Sequence, residues 1–153
     1  MPLYFAYGSN MSTARLKARA PSAARQGLAE LRGHDLRFHK RGTDGSGKAD
    51  AFLTGRPEDV VWGVLFDLSE ADLSAVDSAE GEGEHYERRP VDVRTESGST
   101  VRPWTYLALE KRIAPSLRPL PGYMDHVLRG AREHGLPAEY IRRLESVECM
   151  SGR

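Results

Sequence analysis

The sequence predicts a single α+β domain spanning all 153 residues, 1–153. Short runs of β-branched and aromatic residues occur up to residue 109, whereas apolar residues recur at helical spacing after residue 120. The chain shows no internal repeat and no linker that would separate two domains. Strands and helices do not alternate regularly, so an α+β arrangement is expected rather than a parallel α/β sheet.

The N-terminal segment is predicted to be a strand followed by a helix. Residues Leu3 to Tyr7 are apolar and aromatic, and Gly8 follows at once, which indicates a buried strand that ends in a turn. Ser12 or Thr13 can cap a short helix, which ends before Pro21.

Three further strands are expected before residue 68. Between residues 28 and 39, Leu36 and Phe38 alternate with polar residues, which is the period of a half-buried strand. The segment VVWGVLF favours a strand over 60–67, because it is β-branched and aromatic. A short strand is expected over 51–53.

A helix and a hairpin are predicted next. Ser69 begins the helix, and Asp72 stands three residues later, close to the pattern of a capping box. The hairpin pairs residues 86–94 with residues 100–109, around a turn-like cluster at Glu96–Ser99.

The last part of the chain is predicted to be helical. Apolar residues recur at helical spacing from Tyr123 to His134, and Gly135 is suited to end that helix. Pro137 can start the next one. Tyr123 itself lies either in the core or in a pocket wall.

Composition limits the classes of protein that fit. Apolar residues make up 39% and charged residues 29% of the chain, which suits a soluble globular protein. Lys and Arg total 22, as do Asp and Glu, so the net charge gives no argument for nucleic acid or membrane as a partner. The densest apolar run, Val60 to Phe66, is far shorter than the ~18 residues of a membrane span. The single Cys149 excludes an internal disulfide, and we expect a cytoplasmic protein.

The segment from Gly42 to Lys48 matches GxxxxGK, which is most of a phosphate-binding loop. The next position should be Ser or Thr, and it is Ala49. The loop should also open a helix, but the residues that follow have strand character and stop at Pro57. We therefore predict a flexible loop between strands rather than a nucleotide site.

Glu80, Glu82, Glu84 and His85 form a dense acidic segment. Carboxylates and an imidazole can ligate a metal, but this spacing matches no defined metal loop. A solvated acidic turn is the better interpretation. One of these carboxylates is still a candidate general base, because the glycines between them let the backbone approach a ligand.

The segment Tyr7-Gly8-Ser9-Asn10 leads from a strand into a helix. Such a turn can point several backbone N–H groups at one place, where a carboxylate or a developing oxyanion can bind. The alternative is an ordinary turn with Asn10 or Ser12 as the helix cap, and the tetrapeptide alone slightly favours this alternative.

Four segments occur in an order that resembles the γ-glutamylcyclotransferase family over almost the whole chain: LYFAYGSN, VWGVLFDLSEADLSAVDSAEG, HYERRPVDV and GLPAEYIRRLE. The resemblance implies a small mixed β-barrel flanked by helices. It also implies that a γ-glutamyl amino acid or peptide is converted into 5-oxoproline and a released amine, with no cofactor and no metal.

The resemblance also assigns site residues by position. The catalytic glutamate falls on Glu80, in a DxxEG pattern with Asp77 and Gly81, and it acts as general base and then acid. The implied substrate-binding residues are Tyr4, Phe5, Ala6, Tyr7, Gly8, Ser9, Asn10, Tyr86 and Tyr123. The extra carboxylates Glu82 and Glu84 leave open whether Glu80 is the sole base.

The implied partner is a small-molecule γ-glutamyl substrate, with no nucleic acid and no membrane, and a homodimer is left open. Alternatives within the same fold act on γ-glutamylamines, glutathione or a γ-glutamyl-protected metabolite. An alternative of another class is a small-molecule-binding module without activity, and the retained Glu80 speaks against it.

Overall fold

The computed structural model describes residues 1–151, and within this range the chain forms nine strands and four α-helices. The strands are β1 (Leu3–Ala6), β2 (Ala24–Arg32), β3 (His34–Arg41), β4 (Gly47–Leu53), β5 (Val60–Asp67), β6 (Tyr86–Pro90), β7 (Val93–Thr95), β8 (Thr100–Val101) and β9 (Trp104–Ala108). The helices are α1 (Thr13–Arg19), α2 (Glu70–Glu80), α3 (Pro121–Glu133) and α4 (Ala138–Glu145). Short 3-10 helices occupy Ser9–Met11 and Glu110–Arg112. The predicted α+β class is confirmed.

Seven of these strands form one mixed sheet in the order β6-β9-β1-β5-β2-β7-β8, and β3 pairs with β4 separately. In the centre, β1 runs antiparallel to β5 and parallel to β9. The segment from β6 to β9, residues 86–108, contributes both edges of this sheet. Strands β6 and β9 pair with each other next to β1, whereas β7 and β8 pair with each other next to β2. The sheet therefore curls into a half-barrel flanked by helices, in agreement with the fold that the resemblance implies.

Two predicted strand boundaries are wrong. The strand expected over 28–39 is two strands, β2 and β3, which are separated by Gly33 with a φ of +76°. Glycine adopts this left-handed conformation without steric cost, so it allows the tight turn. The hairpin predicted from 86–94 and 100–109 is interrupted in both arms. Pro103 lies at one interruption, where it has no N–H to continue the ladder.

A β-bulge in β3 changes which of its side chains point inward. Arg37 is opposite Asp50, but Lys40 is opposite Lys48, so β3 carries one residue more than β4 across this interval. The alternation expected from the sequence consequently fails, and His39 and Lys40 are buried in succession. His39 is held inside by a 2.7 Å hydrogen bond to Oδ2 of Asp50.

The predicted caps of α1 and α2 are confirmed. The hydroxyl oxygens of Ser12 and Ser69 accept hydrogen bonds from the N–H groups of Arg15 and Asp72, respectively. The capping box at α2 is only half formed, because the carboxylate of Asp72 instead accepts the N–H of Ser22 at 2.7 Å. This bond fixes α2 against the segment that precedes β2.

Helix α3 supports the N-terminal turn from behind. It begins at Pro121, two residues before the predicted start, where a residue without an N–H is well tolerated. A side chain at Gly130 would place its Cβ 2.4 Å from the backbone of Met11, so only glycine allows this close packing. None of the helices described within residues 1–151 has the length and apolarity needed to cross a membrane.

Candidate active site

A cavity of about 490 Å³ lies where β1 ends. The segment after β1, helix α1, the β3–β4 pair, the end of α2 and several tyrosines all contribute to its wall. Eight of the residues assigned from the sequence line it: Tyr4, Tyr7, Gly8, Ser9, Asn10, Glu80, Tyr86 and Tyr123. Segments that are far apart in the sequence are thus brought to one place, as the resemblance implied.

Two residues of the assigned substrate loop do not line the cavity. Phe5 and Ala6 are buried in the hydrophobic core, and they are absent from the cavity wall. The carbonyl of Phe5 is also occupied, since it accepts a 2.8 Å hydrogen bond from Oγ1 of Thr105. Both side chains therefore pack in the core that supports the loop, and their assigned contact with substrate stays a prediction.

Glu80 is the last residue of α2, and Gly81, with a φ of +67°, ends the helix directly after it. Oε1 of Glu80 accepts a 2.9 Å hydrogen bond from Nδ2 of Asn10. The carbonyl oxygen of the Asn10 side chain accepts in turn from Arg19 at 3.0 Å, so an arginine fixes the orientation of the amide. The same Nδ2 lies 3.1 Å from the hydroxyl of Tyr4.

The environment of Glu80 is suited to proton transfer. Burial raises the pKa of the Glu80 carboxyl above its ordinary value, while Arg19, Lys40 and Arg15 oppose that change and stabilise the ionised form. The hydrogen bond from Asn10 acts in the same direction as these cations. A carboxylate with a raised pKa is a better base than a free glutamate, because it binds a proton more readily.

Tyr86 and Tyr123 both bind the backbone of Ala49 in β4. The hydroxyl of Tyr86 donates to the carbonyl oxygen of Ala49 at 2.7 Å, and the hydroxyl oxygen of Tyr123 accepts the Ala49 N–H at 3.0 Å. Burial raises the pKa of Tyr123 to about 12, so its hydroxyl is protonated at neutral pH. A Cβ added at Gly8 would lie 3.1 Å from Ala49 Cβ and 3.4 Å from the Tyr123 hydroxyl. The glycine therefore lets the turn approach β4 closely.

The extra carboxylates of the acidic segment lie outside the cavity wall. Glu84 is exposed, and its Oε2 lies 3.7 Å from Nζ of Lys111. Oε2 of Glu82 accepts a hydrogen bond from the backbone N–H of Arg88 at 3.5 Å. Among the residues of the described range 1–151 that line the cavity, Glu80 is thus the one with a carboxylate side chain. Over the same range, no group of three or more His, Cys, Asp or Glu side chains is arranged to hold a metal ion.

The glycine-rich segment that resembles a phosphate loop does not open a helix. Its Gly47 is the first residue of β4, which confirms the expected connection between strands. The segment closes as a tight turn, in which the N–H of Gly42 donates to the carbonyl of Ser46 at 2.9 Å. The sequence prediction missed that Gly42 and Lys48 line the cavity.

Three further cations in the cavity wall were also missed: Arg15, Arg19 and Lys40. The two arginines are four residues apart on α1, so they lie on the same side of the helix. Arg15 donates from Nε to the hydroxyl of Ser9 at 3.1 Å. Their spacing, directly after the Gly-Ser-Asn turn, was a usable signal. No sequence pattern indicated that Lys40 lines the cavity, because the position of its side chain depends on the bulge in β3.

Comparisons with known proteins agree with this fold. A family model described as the AIG2-like family matches residues 60–144. Human γ-glutamylcyclotransferase is 37% identical over 152 residues, which covers 95% of this chain and 78% of the human protein. The bovine γ-glutamylcyclotransferase is 36% identical with the same coverage. A solved structure of a γ-glutamyl cyclotransferase superimposes with a TM-score of 0.88 at 33% identity, over 99% of this chain and 91% of the other.

Proposed function

The chain belongs to the γ-glutamylcyclotransferase family and is an enzyme of this type, and we propose that Glu80 is its general base and acid. The observation that carries the proposal is the position of this carboxylate in the cavity wall, where Asn10 holds it and where Gly8 and Ser9 also line the cavity. The substrate is a small molecule with a γ-glutamyl group, and the products are 5-oxoproline and an amine.

The reaction needs a proton to be moved twice. The α-amine of the substrate is an ammonium at neutral pH, because an α-amino group has an ordinary pKa of about 8. Glu80 removes one proton, and the free nitrogen forms a bond to the γ-carbonyl carbon, closing a five-membered ring. The bond from that carbon to the leaving nitrogen then breaks as Glu80 returns the proton to that nitrogen. The ring nitrogen gives its second proton to the regenerated carboxylate, which passes it to the released amine, so that the products are a neutral lactam and an ammonium. The carboxylate ends as it began, and no electrons are exchanged with a third group.

The turn after β1 supplies a place for the negative charge that develops on the γ-carbonyl oxygen. The carbonyls of Gly8 and Ser9 already accept hydrogen bonds within the 3-10 turn, from Met11 and Ser12. The N–H groups at the start of such a turn have no partner inside it, so they are free to point toward a bound oxyanion. The N–H groups of Ser9 and Asn10 are the ones we assign to this role.

The two arginines of α1 are suited to bind the α-carboxylate of the γ-glutamyl group. The α-amine and the α-carboxylate are bonded to the same carbon, so their binding groups must be neighbours. Arg19 contacts the amide that holds Glu80, and Arg15 contacts the hydroxyl of Ser9. Fixing both ends of the flexible γ-glutamyl chain also brings its nitrogen close to its own carbonyl, which can lower the barrier by several kcal/mol.

A substrate panel tests this function. The purified protein is incubated with γ-glutamyl-alanine, glutathione and γ-glutamyl-propylamine, and 5-oxoproline, glutamate and the released amine are quantified. We expect 5-oxoproline and amine in equal amounts from at least one substrate. Glutamate in place of 5-oxoproline would indicate a hydrolase, and binding without any product would support the alternative of a binding module. We also propose a cytoplasmic location, with which the single free Cys149 is compatible.

A further inference from the structure

Lys40 and Lys48 form a pair of cations on one side of the cavity. They are direct cross-strand partners on β3 and β4, so their side chains leave the same face of the two-stranded sheet. Both line the cavity. We call this pair the lysine pair. It combines two features that the reaction as described above does not use: the bulge in β3 and the GxxxxGK segment.

Each member of the lysine pair stands over one of the cavity tyrosines. Nζ of Lys40 lies 4.9 Å from the centroid of the Tyr86 ring, and Nζ of Lys48 lies 4.7 Å from the centroid of the Tyr123 ring. A lysine ammonium over an aromatic face is attracted by the electrons of the ring. The two tyrosines therefore hold both ammonium groups toward the cavity.

Lys40 carries its charge inside the protein without an acidic partner. It is 5% exposed, and within residues 1–151 no carboxylate oxygen lies within 4.0 Å of its Nζ. Its polar contact is Nδ1 of His85 at 2.8 Å, which accepts from the ammonium as a neutral imidazole. Burial lowers the pKa of Lys40 to about 8, and the negative charge of Glu80 offsets this effect only in part.

Like charges placed directly opposite each other on two strands repel, so the lysine pair destabilises the folded protein. An anion bound between the two ammonium groups would remove this repulsion. Lys48 is partly compensated by Asp44 at 3.2 Å, but Asp44 does not belong to the cavity wall. The wall as a whole presents four cations, namely Arg15, Arg19 and the lysine pair, against one carboxylate. A γ-glutamyl group brings one carboxylate and one ammonium, so it leaves this excess of positive charge unchanged.

We propose that the lysine pair binds a carboxylate on the amine that leaves, and that Lys40 and Lys48 are the residues that discriminate such a leaving amine from a neutral one. This inference rests on the proposed function. The arginines of α1 take the α-carboxylate, and the lysine pair takes the second one. Lys40 also lies near enough to Glu80 for each to act on the charge of the other, which fits a leaving group that must receive its proton from Glu80.

Two substrates of equal size separate this role from a structural one. γ-Glutamyl-alanine carries a carboxylate on the leaving amine, and γ-glutamyl-alaninamide replaces it with a neutral amide. The value of kcat/KM for 5-oxoproline release is measured for both with the wild type, Lys40→Met, Lys48→Met and the double variant. The ratio of the two values is the readout. Comparing this ratio between proteins cancels the intrinsic difference in reactivity of the two leaving groups.

The ratio is expected to fall at least tenfold in Lys40→Met and further in the double variant, mainly through KM for γ-glutamyl-alanine. Lys40→Arg keeps the charge and should retain most of the ratio. The matched control is Lys111→Met, because Lys111 is exposed and lies outside the cavity wall. Circular dichroism confirms folding, and if Lys40→Met does not fold, Lys48→Met at the more exposed position gives the decisive ratio.

An unchanged ratio in the folded lysine variants would overturn the inference and leave the proposed function intact, since 5-oxoproline would still be formed. A wild type that forms 5-oxoproline from neither of these substrates nor from any member of the substrate panel would instead refute the proposed function, and the inference would fall with it.

Discussion

Nδ2 of Asn10 lies 2.9 Å from Oε1 of Glu80, and this hydrogen bond joins two residues that are 70 positions apart. It connects the turn after the first strand to the last residue of α2. The amide is itself oriented by Arg19, whose NH1 donates to Oδ1 at 3.0 Å. The position of the carboxylate is therefore set by α1 and the N-terminal turn as well as by its own helix.

Glu80→Gln is expected to lower kcat by at least about a thousandfold, which lies within the range attributed to general acid–base catalysis. The amide keeps the shape of the side chain but cannot accept and return a proton. Release of 5-oxoproline under saturating substrate measures the effect. Glu82→Gln, outside the cavity wall, is the matched control and should keep the wild-type rate. Near wild-type turnover by Glu80→Gln would remove this residue from the mechanism.

The same substitution is expected to preserve or raise thermal stability at pH 7. Burial raises the pKa of Glu80 in the folded protein above its value in the unfolded chain, so ionising this carboxyl destabilises the folded state. The destabilisation is absent below the unfolded-state pKa and is complete once the pH has risen through the folded-state pKa. Glutamine removes this destabilisation. Melting temperatures of both proteins at pH 4 and pH 7 test this, with any advantage of the variant confined to the higher pH. A clear loss of stability at pH 7 would contradict the assigned direction of the pKa.

Arg19→Gln is expected to move the acid limb of the pH profile of kcat/KM to higher pH. Activity falls as Glu80 becomes protonated, so the midpoint of the wild-type limb should lie above the ordinary value of about 4.5. Arg19 is the strongest of the groups that lower this pKa, and its removal raises the pKa further. The exposed Arg132→Gln on α3 should leave the limb in place. A limb that does not move in Arg19→Gln would show that another group titrates.

Tyr86→Phe is expected to lower the free energy of unfolding by about 1–2 kcal/mol, because it removes a buried hydrogen bond to the carbonyl of Ala49. Tyr123→Phe removes the acceptor of the Ala49 N–H and should have a similar effect. Since both bonds fix the same stretch of β4 beside the cavity, KM should rise in each variant. Urea denaturation and steady-state kinetics provide the two measurements. Unchanged values of both quantities would show that neither bond matters for the site.

Gly8→Ala is expected to lower kcat/KM about tenfold or more with a folded protein. The new Cβ would press against Ala49 and the Tyr123 hydroxyl at 3.1 and 3.4 Å, so the turn must move away from β4 by a few tenths of an ångström. Displaced N–H groups stabilise a developing oxyanion poorly, because such bonds depend on distance. Gly45→Ala, at a position with open space but a φ of +81°, is a control for a purely conformational effect. Equal kinetics for wild type and Gly8→Ala would argue against the oxyanion role.

The elements that the sequence predicted correctly are those with local signals. The apolar run at 60–67 became β5, and the serines at 12 and 69 became the caps of two helices. The split hairpin could not be foreseen, because its two parts pair with β1 and β2, which are distant in the chain. For the same reason Lys40 was missed: a bulge, and not the alternation around it, decides where that side chain points. The even balance of acids and bases over the whole chain also concealed the local excess of cations.

The position of β1 between β5 and β9 has a consequence during synthesis of the protein. Tyr4 is opposite Phe66 on one side and Trp104 on the other, so β1 acquires its second neighbour only after about a hundred further residues have been made. Tyr123 follows later still. Pairings of such long sequence separation slow folding, because much chain entropy is lost before they form. A ribosome-bound chain that ends before α3 therefore already contains Glu80 and Asn10 but lacks one wall of the cavity, and activity should emerge only late in translation.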